Sequence, residues 1–188
     1  MLIGNSNASR LALLTVAFSV LFTSTSIPAI WQGEVPRAVL FSSVVLGVGL
    51  AALSATDVHA LRLPDLVTLP LAAVGLLMAW LMGWAPLWWR SLSAGAAFLL
   101  LCAVELAYQR LRGRSGLGRG DAKLFAASGA WLGAEGLATV LLWACGTALM
   151  TILLAACFGH RPTRTTKFPF GPFLALGTWL AWFYGPLN

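Results

Sequence analysis

Apolar residues run along this chain in long blocks with short polar punctuation between them. The blocks fall near residues 11–30, 37–56, 66–86, 91–109, 122–134, 136–157 and 170–187. A run of roughly 18 or more apolar residues, wound as a helix, matches the ~30 Å hydrocarbon thickness of a bilayer. Six of the seven blocks reach that length; the fifth has thirteen residues and rises only about 20 Å as a helix. The pattern predicts an all-α, polytopic membrane helix bundle of about seven transmembrane segments, one of them short. The first block, behind Arg10, is also compatible with a cleaved signal peptide. No A-x-A type of site precedes Trp31, so it is expected to be a retained helix, peripheral to a core at 37–187.

Charge decides whether the short fifth block crosses. With the N-terminus in the cytoplasm and seven crossings, ten basic residues face the cytoplasm: Arg10, Arg62, Arg110, Arg112, Arg114, Arg119, Lys123, Arg161, Arg164 and Lys167. Only Arg37 and Arg90 lie outside, a strong positive-inside bias. If 122–134 failed to cross, the bias would fall to seven against five. Its small residues Ala126, Ala127, Ser128, Gly129, Ala130 and Gly133 suit burial among neighbours, and Gly129 with Gly133 forms a GxxxG step that lets helices approach closely.

Composition agrees. Of 188 residues, 59% are apolar and 10% charged, where a soluble domain carries about 25% charged residues. The excess of 12 Lys and Arg over 6 Asp and Glu sits in short loops, as a topology signal does, so a nucleic-acid partner is not expected. Arg112, Arg114 and Arg119 set topology and attract anionic lipid. Cys102, Cys145 and Cys157 lie inside apolar blocks without a CxxC pair and read as packing residues. The longest polar stretch, Gln109 to Lys123, is too short to fold alone, so residues 1–188 read as one membrane domain.

Six acidic residues remain to carry chemistry. Glu34 reads as a solvated loop residue and Glu135 as the start of a helix, where negative charge suits the helix dipole. Glu105 lies inside the fourth segment; a carboxylate there is a functional candidate, and Arg110 and Arg112 are the alternative, structural partners. Asp65, after Pro64, is expected to cap the third segment. Asp57 ends the second segment, and Asp121 follows the glycine-rich stretch Gly116 to Gly120 and opens the fifth. Both are placed on the cytoplasmic side at similar depth, as helix-end caps or as a pair. Glycines let the chain leave helical geometry at membrane depth, tolerable where it lines a buried or wet site. Two close carboxylates titrate as a unit. The ionised one takes a proton from water attacking a peptide carbonyl, and the protonated one donates to the carbonyl oxygen.

Three stretches resemble one family. Asp57 to Pro70, DVHALRLPDLVTLP, looks like the first signature of bacterial type IV prepilin leader peptidases. Gly118 to Gly133, GRGDAKLFAASGAWLG, looks like the second, the GxGD motif, and Phe168 to Gly177, FPFGPFLALG, resembles the C-terminal PFGP segment. The resemblance covers about residues 45 to 185. It implies an aspartic endopeptidase of the bacterial inner membrane that removes the basic leader of prepilins or pseudopilins at the cytoplasmic face, without a cofactor. Asp57 and Asp121 match the catalytic aspartates. Gly118 and Gly120 match the motif glycines, Pro64 and Asp65 the noncatalytic end of the first signature, and Lys123 a position without an assigned role. Relatives carry an N-terminal domain, often with paired CxxC motifs, linked to N-methylation. None is present here, so a short, peptidase-only form is expected.

Two other classes compete: a noncatalytic assembly subunit, and a proton-coupled transporter using the same carboxylates. Retention of both aspartates opposes the first; the lack of a detectable inverted repeat opposes the second. His59 near Asp57 has no further ligand spaced to join it, so a metal is not expected. Gly116 to Gly120 lacks the ending of a phosphate-binding loop.

Overall fold

The computed structural model describes residues 37–60, 63–113, 116, 118–157 and 169–185. The predicted first segment at 11–30, Glu34, Arg62, Arg114, the side chain of His59 and the basic loop at 160–167 lie outside the described residues. Among those described, every regular element is a helix: α1 Arg37–Ala60, α2 Asp65–Leu81, α3 Leu87–Arg112, α4 Arg119–Leu132, α5 Ala134–Cys157 and α6 Gly171–Tyr184. They correspond one for one to the last six predicted segments.

Local chemistry sets their ends. Pro64 and Pro86, both extended, immediately precede α2 and α3, because proline lacks the N–H that a helix start leaves unused. Gly83 and Gly113 adopt left-handed φ values of 63° and 68° just beyond α2 and α3, a conformation costly for residues with a Cβ. The turn at 82–86 therefore shortens the predicted 66–86 segment and starts α3 four residues early.

Three helices are long and apolar enough to cross a bilayer: Ala38–Val58, Leu87–Arg112 and Ala134–Cys157. α2 has 17 residues, and α4 and α6 have 14 each. The expected count of seven full spans is thus not reached among the described residues. The chain is nonetheless an integral membrane protein. Its outer surface exposes Phe41, Val48, Leu99, Leu142 and Leu153, which water would not tolerate in such density but lipid chains solvate.

Contacts fix the directions. Ser43 and Asp57 of α1 meet Trp182 and Gly171 of α6, so these helices are antiparallel. Ser93 of α3 lies against Gly129 of α4, and Arg90 binds the carbonyl of Trp131, also antiparallel. Asp65 and Leu71 of α2 meet Lys123 and Trp131 of α4, which is parallel. Consequently α2, α4 and α6 begin at one end of the bundle, the end at which α1 finishes.

The short α4 is the central element. Ala122, Leu124, Phe125, Ala127, Ser128, Gly129, Ala130 and Trp131 are all buried, and it packs on α2, α3, α5 and α6. A Cβ on Gly129 would stand 2.8 Å from the Ser93 carbonyl, so this glycine brings α3 and α4 together as expected. Gly133 departs from that expectation. It lies past the helix with φ 78°, and makes the one-residue turn into α5. The far end of α4 is fastened by polar groups. Trp131 donates Nε1 to the Leu71 carbonyl at 2.8 Å, with its ring against Gly75. Arg90 donates to the Trp131 carbonyl, a cation at a helix C-terminus. Ser128 and Thr178 share a buried hydrogen bond of 2.7 Å between α4 and α6.

The cysteines divide. Cys102 is half-buried against the core as expected, whereas Cys145 and Cys157 lie on the exposed apolar surface and do not pack inside.

Helices α5 and α6 approach so closely at Gly177 that a Cβ there would lie 2.3 Å from the Val140 carbonyl and 3.1 Å from the Ala144 nitrogen. Gly177→Ala is expected to destabilise the protein by about 1–3 kcal/mol through overpacking, read as a lower thermal midpoint in detergent micelles. Gly146→Ala, with nothing within 4 Å of the added carbon, serves as the control; equal midpoints for the two variants would contradict the packing.

Candidate active site

The two sequence-predicted aspartates lie 64 residues apart in the chain, yet both are buried at one end of the bundle: Asp57 is 4% exposed and Asp121 7%. Asp57 sits in the last turn of α1, and Asp121 in the first turn of α4. Both therefore stand at the end of the bundle where α2, α4 and α6 begin.

Each carboxylate is held by one backbone N–H. Gly118 donates to Asp121 Oδ2 at 3.2 Å, half of a capping box, in which a residue at the third helical position reaches back to the cap. Having no side chain, Gly118 cannot supply the other half. Gly171 donates to Asp57 Oδ2 at 3.0 Å across 114 residues of sequence. A helix start leaves its first amides without internal partners, and Asp57 of α1 takes up one belonging to α6. With α2, α4 and α6 all starting at this end, the positive ends of three helices lie on the side of the bundle that holds both carboxylates. Asp121 Oδ1 is buried without a hydrogen-bond partner among the described residues. A buried oxygen in that condition is costly, and calls for a functional explanation.

The end of the first signature lies over the first turn of α4. A Cβ on Gly120 would be 3.0 Å from Leu63 Cβ and 3.4 Å from the Leu63 nitrogen, so Gly120 lets this segment rest on the helix. Asp65 does not cap α2, contrary to expectation. Pro64 holds the cap position and no side-chain cap bond forms. The Asp65 carboxylate instead makes a salt bridge with Lys123. Once Asp65 occupies the first helical position, its side chain is free to reach a neighbouring helix.

The other described carboxylates, Glu105 and Glu135, bond to other groups. Glu105 accepts from Gln109 Nε2 at 2.6 Å and from the Gly116 amide at 3.3 Å. Glu135 opens α5 as expected, at the opposite end, and accepts from Trp89 Nε1 at 3.2 Å. Among the described residues no three metal-ligating side chains converge.

Gly171 is the residue that reading the sequence missed. The PFGP stretch drew attention to its segment, but a backbone donor leaves no side-chain signature. The available signal was the Gly-Pro pair opening an apolar block, since a glycine there admits close approach of another group.

The chain is similar in sequence to known proteins. Residues 44–159 match the type IV leader peptidase family. The chain is 36% identical over 179 residues to the prepilin leader peptidase/N-methyltransferase of Aeromonas salmonicida, an alignment covering 92% of this chain and 56% of that protein. The protein of the same name from Xanthomonas campestris pv. campestris is 36% identical over 157 residues, covering 82% and 51%. That from Dickeya chrysanthemi is 38% identical over 147 residues, covering 78% and 50%. The chain thus spans about half the length of the curated relatives it matches. No solved structure matches it.

Proposed function

The chain belongs to the type IV leader peptidase family, and from that premise we propose that it is a membrane-embedded aspartic endopeptidase. Its substrates are prepilins or pseudopilins, cut between the basic leader and the apolar helix that follows. The observation that carries this reading is the burial of Asp57 and Asp121, from separate helices, at one end of the bundle, each held through Oδ2 by a backbone N–H.

In the reaction, the ionised aspartate accepts a proton from water as its oxygen attacks the scissile carbonyl carbon. The protonated partner gives its proton to the carbonyl oxygen. Collapse of the tetrahedral diol breaks the C–N bond: the aspartate that took a proton from water passes it to the nitrogen, which leaves as the amine of the mature pilin, while its partner takes back a proton from a diol hydroxyl. The relatives' names also carry an N-methyltransferase; the proposal for this chain covers the peptidase step alone. The catalytic end faces the cytoplasm of a bacterial inner membrane. In support, Arg110, Arg112, Arg119 and Lys123 all lie at the end of α3 or the start of α4, and Arg90 at the other end.

Co-expression with candidate type IV prepilins and type II pseudopilins tests the reading. Loss of the leader, seen as a mobility shift on a gel, is expected for at least one. An uncut panel in cells containing the folded protein would count against it.

A further inference from the structure

The ion pair between Asp65 and Lys123 joins the two signature stretches and has no part in the chemistry just described. Lys123 lies two residues beyond Asp121, and Leu63 packs on Gly120, one residue before it. The segment 63–65 therefore grips the first turn of α4 on both sides of Asp121 in sequence, once by apolar contact and once by charge. The same segment follows closely on the end of α1, which carries Asp57. Four residues separate the two helices in sequence, and Leu63, the third of them, rests on the turn that bears the other aspartate. The pair is half-exposed, with the Lys123 side chain 32% and the Asp65 side chain 56% accessible. Exposed pairs contribute little to global stability, so stability alone gives a weak account of why charge is placed here. Geometry gives a better one, since catalysis is sensitive to misplacements of about an ångström.

We propose that Asp65 and Lys123 are positioning residues, which clip the Asp121-bearing turn of α4 to the connection leaving Asp57 and so hold the two aspartates in working register. This rests on the peptidase reading above. Asp65→Asn and Lys123→Gln each lower kcat about tenfold, with KM unchanged, on a synthetic peptide spanning the leader and first apolar residues of the prepilin cleaved in co-expression. The double exchange Asp65→Lys with Lys123→Asp restores most of the rate. A change in KM alone would make these groups substrate contacts, and would overturn the proposal. Unchanged kcat in the single variants, or an exchange no better than they are, would do the same.

A second arm needs no substrate. In a chain with Cys102, Cys145 and Cys157 replaced by Ala, cysteines introduced as Leu63→Cys and Gly120→Cys oxidise to a disulfide, since their Cβ atoms, 3.0 Å apart as the backbone stands, need part by only about half an ångström to reach disulfide spacing. Adding Asp65→Asn slows that cross-linking several-fold; an unchanged rate would overturn the clip. If the wild-type chain cleaves no prepilin, the peptidase reading fails while the cross-linking still decides the clip.

Discussion

Asp57→Asn and Asp121→Asn each reduce leader removal by about a thousandfold, and the double variant is scarcely worse than either. Asparagine keeps the volume of aspartate and retains an oxygen that can accept the Gly171 or Gly118 amide, so the helices and the buried end persist. What it cannot do is ionise or pass a proton. General acid–base assistance contributes roughly 10²–10⁴-fold, which sets the size of the loss. Two carboxylates acting as one unit lose their function together, which sets the non-additivity. Purified variants with the wild-type thermal midpoint, assayed on the same prepilin, provide the measurement. Wild-type processing by either single variant would remove that residue from the mechanism.

Gly171→Ala is expected to cost about a hundredfold although it removes no functional side chain. The added carbon would stand 2.6 Å from Asp57 Oδ2 and 3.0 Å from its Cγ, so carboxylate and helix start must separate. Asp57 then loses both its place and its amide donor. Gly118→Ala is the informative comparison. That glycine also donates to an aspartate, but its φ is −80° and the nearest atom to an added Cβ is Asp121 Oδ2 at an ordinary 3.4 Å. Alanine there lowers the rate by less than about tenfold. Equal losses at the two positions, in a steady-state assay of purified protein, would contradict the geometry.

The helices and the aspartates were legible in the sequence for separate reasons. Apolar runs report lipid contact directly, and Asp57 and Asp121 were singled out by their places at helix ends on one face and by the two signature stretches that contain them. What escaped notice was carried by the backbone or by pairing over distance. Gly171 acts through its N–H on a residue 114 positions away, which no local pattern encodes. Asp65 has the sequence setting of a cap, yet Pro64 already fills that position, so the carboxylate reaches across to a lysine 58 positions on. Gly133 fits the spacing of a helix-packing glycine but serves the turn into α5. The same residue type meets two different demands four positions apart.

The central helix α4 has a consequence for biogenesis. Its 14 residues include Arg119, Asp121 and Lys123, and charged residues cost about 2.5–3.5 kcal/mol each at the middle of an inserting helix, less toward the ends. It would gain little by entering lipid alone. Only the single residue Gly133 separates it from the long apolar α5, so the two leave the translocon as a hairpin, with α5 supplying the driving force. The end that holds both aspartates is then assembled late. α1 must wait beside the translocon until α6 emerges from the ribosome to bring Gly171 to Asp57.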